Sequence, residues 1–151
     1  EIGCGDTKEV YGKGVALNFV CFITGIVSMG ILLLIRATLL DSFIFPLMDI
    51  SAEAGEIAKM MLAFIAVIMP IRSLNLCNIV GVFRGGGDAS FGLKVEAGTM
   101  WLIGVPLAFI GALLLQWPVE LVVLLICAEE IVKCILSLVR LKSNRWIKHV
   151  T

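Results

Sequence analysis

Long apolar runs broken by short polar stretches set the pattern of this chain. From Gly14 to Ile35 no charged residue interrupts the sequence, and Arg36 closes the run. From Ala97 to Val119 a second run of 23 residues is also free of charge. At 1.5 Å per residue it makes about 34 Å of helix, enough to cross a hydrocarbon core about 30 Å thick. Between these runs, Ser51 is a plausible N-cap, with Glu53 and Glu56 in the first turns that follow. The helix it opens runs through Met60–Ile71, is disturbed at Pro70 and Arg72, and continues to Phe83. The pattern predicts four helices, at about 14–36, 52–83, 89–116 and 119–141, then a polar tail at 142–151. The predicted connections are a 12–15-residue loop around Asp41–Ile50, the turn Arg84-Gly85-Gly86-Gly87-Asp88, and Gln116-Trp117-Pro118. Short connections imply antiparallel neighbours. The expected fold class is all-α and integral to a membrane, with four antiparallel transmembrane helices.

Composition agrees. The chain is 60% apolar and 16% charged, against about 25% charged in ordinary soluble domains. Twelve basic residues balance twelve acidic ones, so nothing points to nucleic acid or an acidic partner. Membrane lipid is the expected surrounding. The distribution of basic residues is more telling than their number. Lys8, Lys13, Arg84, Lys142, Arg145 and Lys148 fall on one side of the predicted helices. Ala37–Ile50 and Gln116–Pro118 carry no Lys or Arg, and Arg36 alone borders that side. The positive-inside rule places both ends of the segment in the cytoplasm, in a multi-pass protein of the cytoplasmic membrane. Trp117 and Trp146 are expected in aromatic belts at the two boundaries. The chain opens on Glu1 with no basic n-region and cleavage site, so it reads as an internal start without a signal peptide. Cys4, Cys21, Cys77, Cys127 and Cys134 lack metal-ligand spacing and read as inert thiols.

The triple glycine has two readings. A phosphate cradle would need Gly-Lys-Ser/Thr to follow, or a strand to precede, and neither is present. The structural reading is a tight turn in which Gly85, Gly86 and Gly87 supply positive φ. Asp88 or Ser90 then caps the next helix, and Arg84 sits at headgroup level. The same Gly-x-Gly-Asp pattern at Gly3–Asp6 reads either as a faint internal repeat or as the same turn chemistry used twice.

Charges inside the predicted spans call for the most explanation. In the last helix Glu129–Lys133 is an i,i+4 pair and Glu130–Lys133 an i,i+3 pair. Charges at this depth face the bundle or a watery cavity and pair with one another. They read as an ion relay or as a structural clamp. Glu96 lies two turns into the third helix and is expected to pair with Lys94 or Lys133, or to face a cavity. Arg72, Asn75 and Asn78 recur every three residues beyond Pro70, and read as a polar-lined hinge or as a packed kink. Gly104, Ala108 and Ala112 form a small-residue stripe suited to a helix–helix seam. His149 is expected to be solvated in the tail.

Several of these stretches together resemble one family. Phe83–Asp88 (Phe-Arg-Gly-Gly-Gly-Asp), Met100-Trp101 and Gly104-Val105-Pro106 are similar to the tenth-to-eleventh helix region of multidrug and toxic compound extrusion (MATE) transporters. Glu129–Lys133 and the tail from Arg140 to Ile147 resemble the family's last helix and its end. Ile2–Asp6 is similar to the loop after its eighth helix. The resemblance covers nearly the whole chain. It implies helices 9–12 of a twelve-helix, two-lobed antiporter, whose missing N-terminal helices are this segment's main partner. It further implies export of organic cations and other amphipathic compounds, with protons or sodium ions as coupling ion and no other cofactor. Several of the family's coupling carboxylates lie on helices outside this segment. Members with an acid in helix 10 have no counterpart here, since Met60–Phe83 holds no Asp or Glu. Glu96 stands where relatives often carry Asp. The alternatives are a lipid-linked oligosaccharide flippase of the same superfamily and a non-transporting membrane subunit. No His/Asp/Ser or metal-ligand constellation suggests an enzyme.

Overall fold

The computed structural model of the protein describes residues 7–48 and 51–147, and every regular element among them is a helix. Four helical rods follow one another along the chain. The first is α1 (Thr7–Leu39), prolonged by a π-helical turn Leu40–Ile44 and by α2 (Phe45–Met48). The second is α3 (Ala52–Leu76), continued as π-helix Cys77–Phe83. The third is α4 (Ala89–Thr99), π-helical Met100–Gly104, α5 (Val105–Phe109) and π-helical Ile110–Leu114. The fourth is α6 (Val119–Lys142).

Glu9–Leu39, Ala52–Phe83 and Ala89–Leu114 are each long and apolar enough to cross a membrane. The protein is an all-α membrane protein. Helix α6 has the length, at 24 residues, but carries Glu129, Glu130 and Lys133 in its middle. Its place across the membrane therefore depends on how those charges are covered.

Cross-contacts fix the directions. Asn18 meets Asn78, Gly25 meets Pro70, and Arg36 Nε donates to Lys59 O. Position rises along the first rod as it falls along the second, so the two are antiparallel. The third and fourth rods are antiparallel as well, through Asp88–Arg140, Glu96–Lys133 and Gly111 against Val122 and Leu125. Closest approach of the first hairpin lies at Gly25, where an added Cβ would stand 2.6 Å from Pro70 Cα and 3.0 Å from Ser73 Cβ. Ser73 Oγ donates to Cys21 O at 2.6 Å across the same seam. Pro70 is buried in this seam, and of the polar residues beyond it Ser73, Asn75 and Asn78 hydrogen-bond to neighbouring rods while Arg72 is exposed.

The core gathers at the Gly-rich end, where Val10, Val82, Phe83, Val95 and Leu141 close around Trp146. Trp146 is 3% exposed and its Nε1 donates to Leu141 O at 3.1 Å. This corrects its expected place in an aromatic belt. Asn144, at φ 56°, reverses the chain after α6, and Asn tolerates that left-handed conformation well. Trp146 is thereby folded back onto Gly14 and Gly86, while Trp117 stays exposed as expected.

Other expectations change for identifiable reasons. The loop around Asp41–Ile50 is helical through Met48, and the Phe45 ring packs where a Cβ on Gly55 would point. In the glycine turn only Gly87 has positive φ, at 84°. Gly86 is required instead by space, because a Cβ there would strike Trp146. Asp88 occupies the N-cap position of α4, yet its side chain makes no capping bond, because Arg140 holds it. Ser51 does cap α3, accepting from Ala54 N. The seam residues of the third rod are Gly104 and Gly111, while Ala112 is exposed. The wide turns at Met100–Gly104 and Ile110–Leu114 break the i,i+4 register that a regular helix would keep. Pro106, without an N–H to give the ladder, follows the first of them. Gly3–Asp6, Lys148 and His149 lie outside the described residues.

Candidate functional site

Helices α3, α4 and α6 converge on Lys133. Its ammonium is 3.1 Å from Glu96 Oε1, 3.1 Å from Glu129 Oε1 and 3.5 Å from Glu130 Oε1. Two of these carboxylates come from its own helix, one turn N-terminal to it. Glu96 arrives from α4, so the group also ties the third rod to the fourth. Lys133 is 4% exposed and Glu129 8%, whereas the Glu96 side chain is half exposed. Taking such charges out of water costs several kcal/mol per ion unless partners replace the lost solvation.

Each carboxylate has a different support. Glu129 Oε1 is 3.3 Å from Thr99 Oγ1, and a Cβ on Gly104 would collide with its Oε2. The π-helical turn Met100–Gly104 thus ends on the one residue small enough to let the carboxylate in. Asn75, 2% exposed, donates from Nδ2 to Glu130 Oε2 at 2.8 Å and to Glu130 O at 2.9 Å. Its Oδ1 is buried with no partner. Arg72, Asn75, Leu76, Glu96, Glu130 and Lys133 line a cleft of about 250 Å³. Three carboxylates thus face one buried ammonium, with the exposed Arg72 on the cleft wall as the second cation. Counted together, the group keeps one excess negative charge.

Glu96, Glu129, Glu130, Lys133, Arg72 and Asn75 therefore come together. Asn78 does not join them. Three residues turn an α-helix by 300°, so the step from Arg72 to Asn75 swings back about 60°, and Asn78 lies in the π-helical segment, where the α-helical spacing no longer holds. Asn78 ends up fully buried between three rods. It accepts from Asn18 Nδ2 at 2.8 Å, and its own Nδ2 is 3.5 Å from Ser137 Oγ. Lys94 is exposed and takes no part; Glu96 reaches Lys133. Of the turn residues, Arg84 and Gly85 are exposed and Gly86 and Asp88 buried. Arg140 Nε and Nη2 both donate to Asp88 Oδ2, at 2.9 and 2.6 Å, and its guanidinium stacks 4.5 Å over Phe91.

Sequence reasoning missed Thr99 and placed Gly104 in a helix–helix seam without naming Glu129 as its neighbour. The threonine directly before the Met-Trp pair and the glycine before Val-Pro carry no local sign of a partner that lies 25 or more residues away. It also missed Arg140 as the partner of Asp88, 52 positions apart. Cys21, Cys77, Cys127 and Cys134 are free thiols. Among the described residues no group of three or more His, Cys, Asp or Glu is placed to hold a metal ion.

Fold and site together define an all-α membrane protein with an ionised cluster buried between its helices. Its sequence is similar to that of the uncharacterized transporter YisQ of Bacillus subtilis (strain 168), with 29% identity over 111 residues. That match takes in 74% of this chain and 24% of the relative, so the chain spans about a quarter of the length of the curated relative it matches. No family model matches the chain, and no solved structure matches it.

Proposed function

We propose that this chain is part of a secondary transporter of the multidrug and toxic compound extrusion type. It would form helices 9–12 of the C-terminal lobe, with α6 as the fourth span and both ends of the segment in the cytoplasm. In that reading the complete protein exports amphipathic or cationic small molecules across the cytoplasmic membrane in exchange for protons. The similarity to a relative named as a transporter supports a transport role. The observation that carries the coupling mechanism is the charge imbalance around Lys133, where three carboxylates share one buried ammonium beside a cleft. Charges at bilayer depth are costly and mark ion pathways when they are kept. Lys133 Nζ occupies the centre of the carboxylates, the place a bound sodium ion would need. A proton needs only a carboxylate oxygen. Protonation of Glu96 or Glu130, the two cleft-lining acids, would release Lys133 from one partner and loosen α4 from α6. Alternating access by a rocking lobe needs such a two-state tie.

The test uses the full-length chain in liposomes with an imposed pH gradient. Replacing Glu129, Glu130 and Lys133 with Leu and Glu96 with Gln removes every titratable group of the cluster. The expected protein folds and binds a cationic dye but loses pH-driven exchange. Retained pH-driven exchange would refute the assignment of the cluster to coupling.

A further inference from the structure

The turn between the second and third rods leaves a second cleft, of about 500 Å³, which shares Leu76 and Glu96 with the first. Its walls are apolar, made by Leu76, Ile79 and Val80 on one side and Leu93 on the other. At its mouth stand Arg84, Ala89 and Ser90. Arg84 is exposed, and no carboxylate pairs with it among the described residues. Ala89 and Ser90 open α4, whose first-turn N–H groups have no intrahelical acceptor. A side-chain cap would normally take one of them, but the Asp88 carboxylate is turned to Arg140. The mouth therefore offers a guanidinium, a hydroxyl and the N-terminal end of a helix. A helix N-terminus favours anions, and the nearby guanidinium suits phosphate oxygens. Below the mouth the walls descend from Arg84 to Leu76, eight residues, or on the order of 10 Å. That is a large part of one leaflet's acyl depth, about 15 Å. At the deep end the Glu96 carboxylate is held by Lys133.

We infer that this cleft is a binding site for an anionic phospholipid, with the phosphate at Arg84 and Ser90 and an acyl chain between Val80 and Leu93. A phospholipid satisfies both ends of the cleft, whereas a free phosphate leaves its apolar walls empty. The inference needs the membrane placement of these helices and does not depend on what the protein transports.

The test measures retained lipid by native mass spectrometry of the full-length chain, delipidated and mixed with dioleoylphosphatidylglycerol or dioleoylphosphatidylcholine. The expected result is preferential retention of phosphatidylglycerol. Arg84→Ala should weaken that preference about fivefold, the effect of one basic residue at an anionic surface. Arg145→Ala, which removes an exposed guanidinium outside the cleft, should leave it unchanged. Val80→Trp, which fills the groove, should also weaken retention while Arg84 is intact. Thermal unfolding of each variant shows whether it is folded. Equal retention of both lipids, an unchanged preference in folded Arg84→Ala, or displacement of the lipid by inorganic phosphate alone would overturn the site.

Discussion

Helices α4 and α6 are tied together twice, and the two ties differ in kind. Near the glycine turn, Arg140 Nε and Nη2 both donate to one Asp88 carboxylate oxygen, under the face of Phe91. Seven residues back along α6, Lys133 meets Glu96 together with Glu129 and Glu130. The first tie is buried at its Asp88 end, 1% exposed, beneath a Phe91 ring that packs against the core. The second carries more acid than base and borders a cleft. A buried, bidentate pair favours one charge state. On the proposed reading, the acid-rich cluster beside the cleft has several and responds to a proton. On that reading the same two helices hold a fixed joint at one end and an adjustable joint at mid-length.

Removing the hub should have the largest effect. Lys133→Leu leaves three carboxylates facing one another in low dielectric, and should destabilise the full-length protein by about 3–5 kcal/mol or more, read as the unfolding midpoint in detergent. The variant that also neutralises Glu96, Glu129 and Glu130 should recover most of that loss, since removing a whole buried cluster is often tolerated. A quadruple variant no more stable than the single one would mean that the charges are not in conflict.

Arg140→Ala should come next. It takes the bidentate guanidinium from Asp88, which is 1% exposed, at a cost of about 3 kcal/mol. Removing both partners, Arg140→Ala together with Asp88→Ala, should regain much of the lost stability. Molecules of the single variant that remain folded should show the same pH dependence of exchange as the parent. A shifted pH profile would erase the distinction between the two joints.

Smaller losses should follow from adding one methyl at either joint. Gly86→Ala drives a Cβ into Trp146, and Gly104→Ala drives one into Glu129 Oε2. Each should cost about 1–3 kcal/mol by overpacking. Gly104→Ala should in addition alter coupling, whereas Gly86→Ala should only lower the melting temperature. Identical effects on transport would contradict that separation.

No stability change is expected at Gly85, around which an added Cβ meets nothing within 4 Å. That makes Gly85→Cys a benign probe in a cysteine-free background. Impermeant maleimide should label it only from the cytoplasmic side, and a cysteine at Asp49, outside the described residues, only from the opposite side. Labelling of both from one side would break the antiparallel membrane topology.

Much of the architecture was legible in the residues because it rests on local rules. Uncharged runs give helices of spanning length, and Ser51 marks a helix start. Short connections give antiparallel neighbours. The i,i+3 and i,i+4 spacing placed Glu129 and Glu130 beside Lys133 without any knowledge of the tertiary fold. Helix periodicity says nothing of partners on other rods, and there only the tertiary structure decided. It brought Glu96 to Lys133 across 37 positions and Asp88 to Arg140 across 52. It folded Trp146 under the turn and brought Gly104 against Glu129. It also buried Asn78 against Asn18 and Ser137, away from the cleft that Arg72 lines. Charge, length and spacing along one helix are properties of the chain. Which buried charge meets which depends on how the rods are turned about their axes, and the packing of glycines, prolines and widened turns sets that rotation.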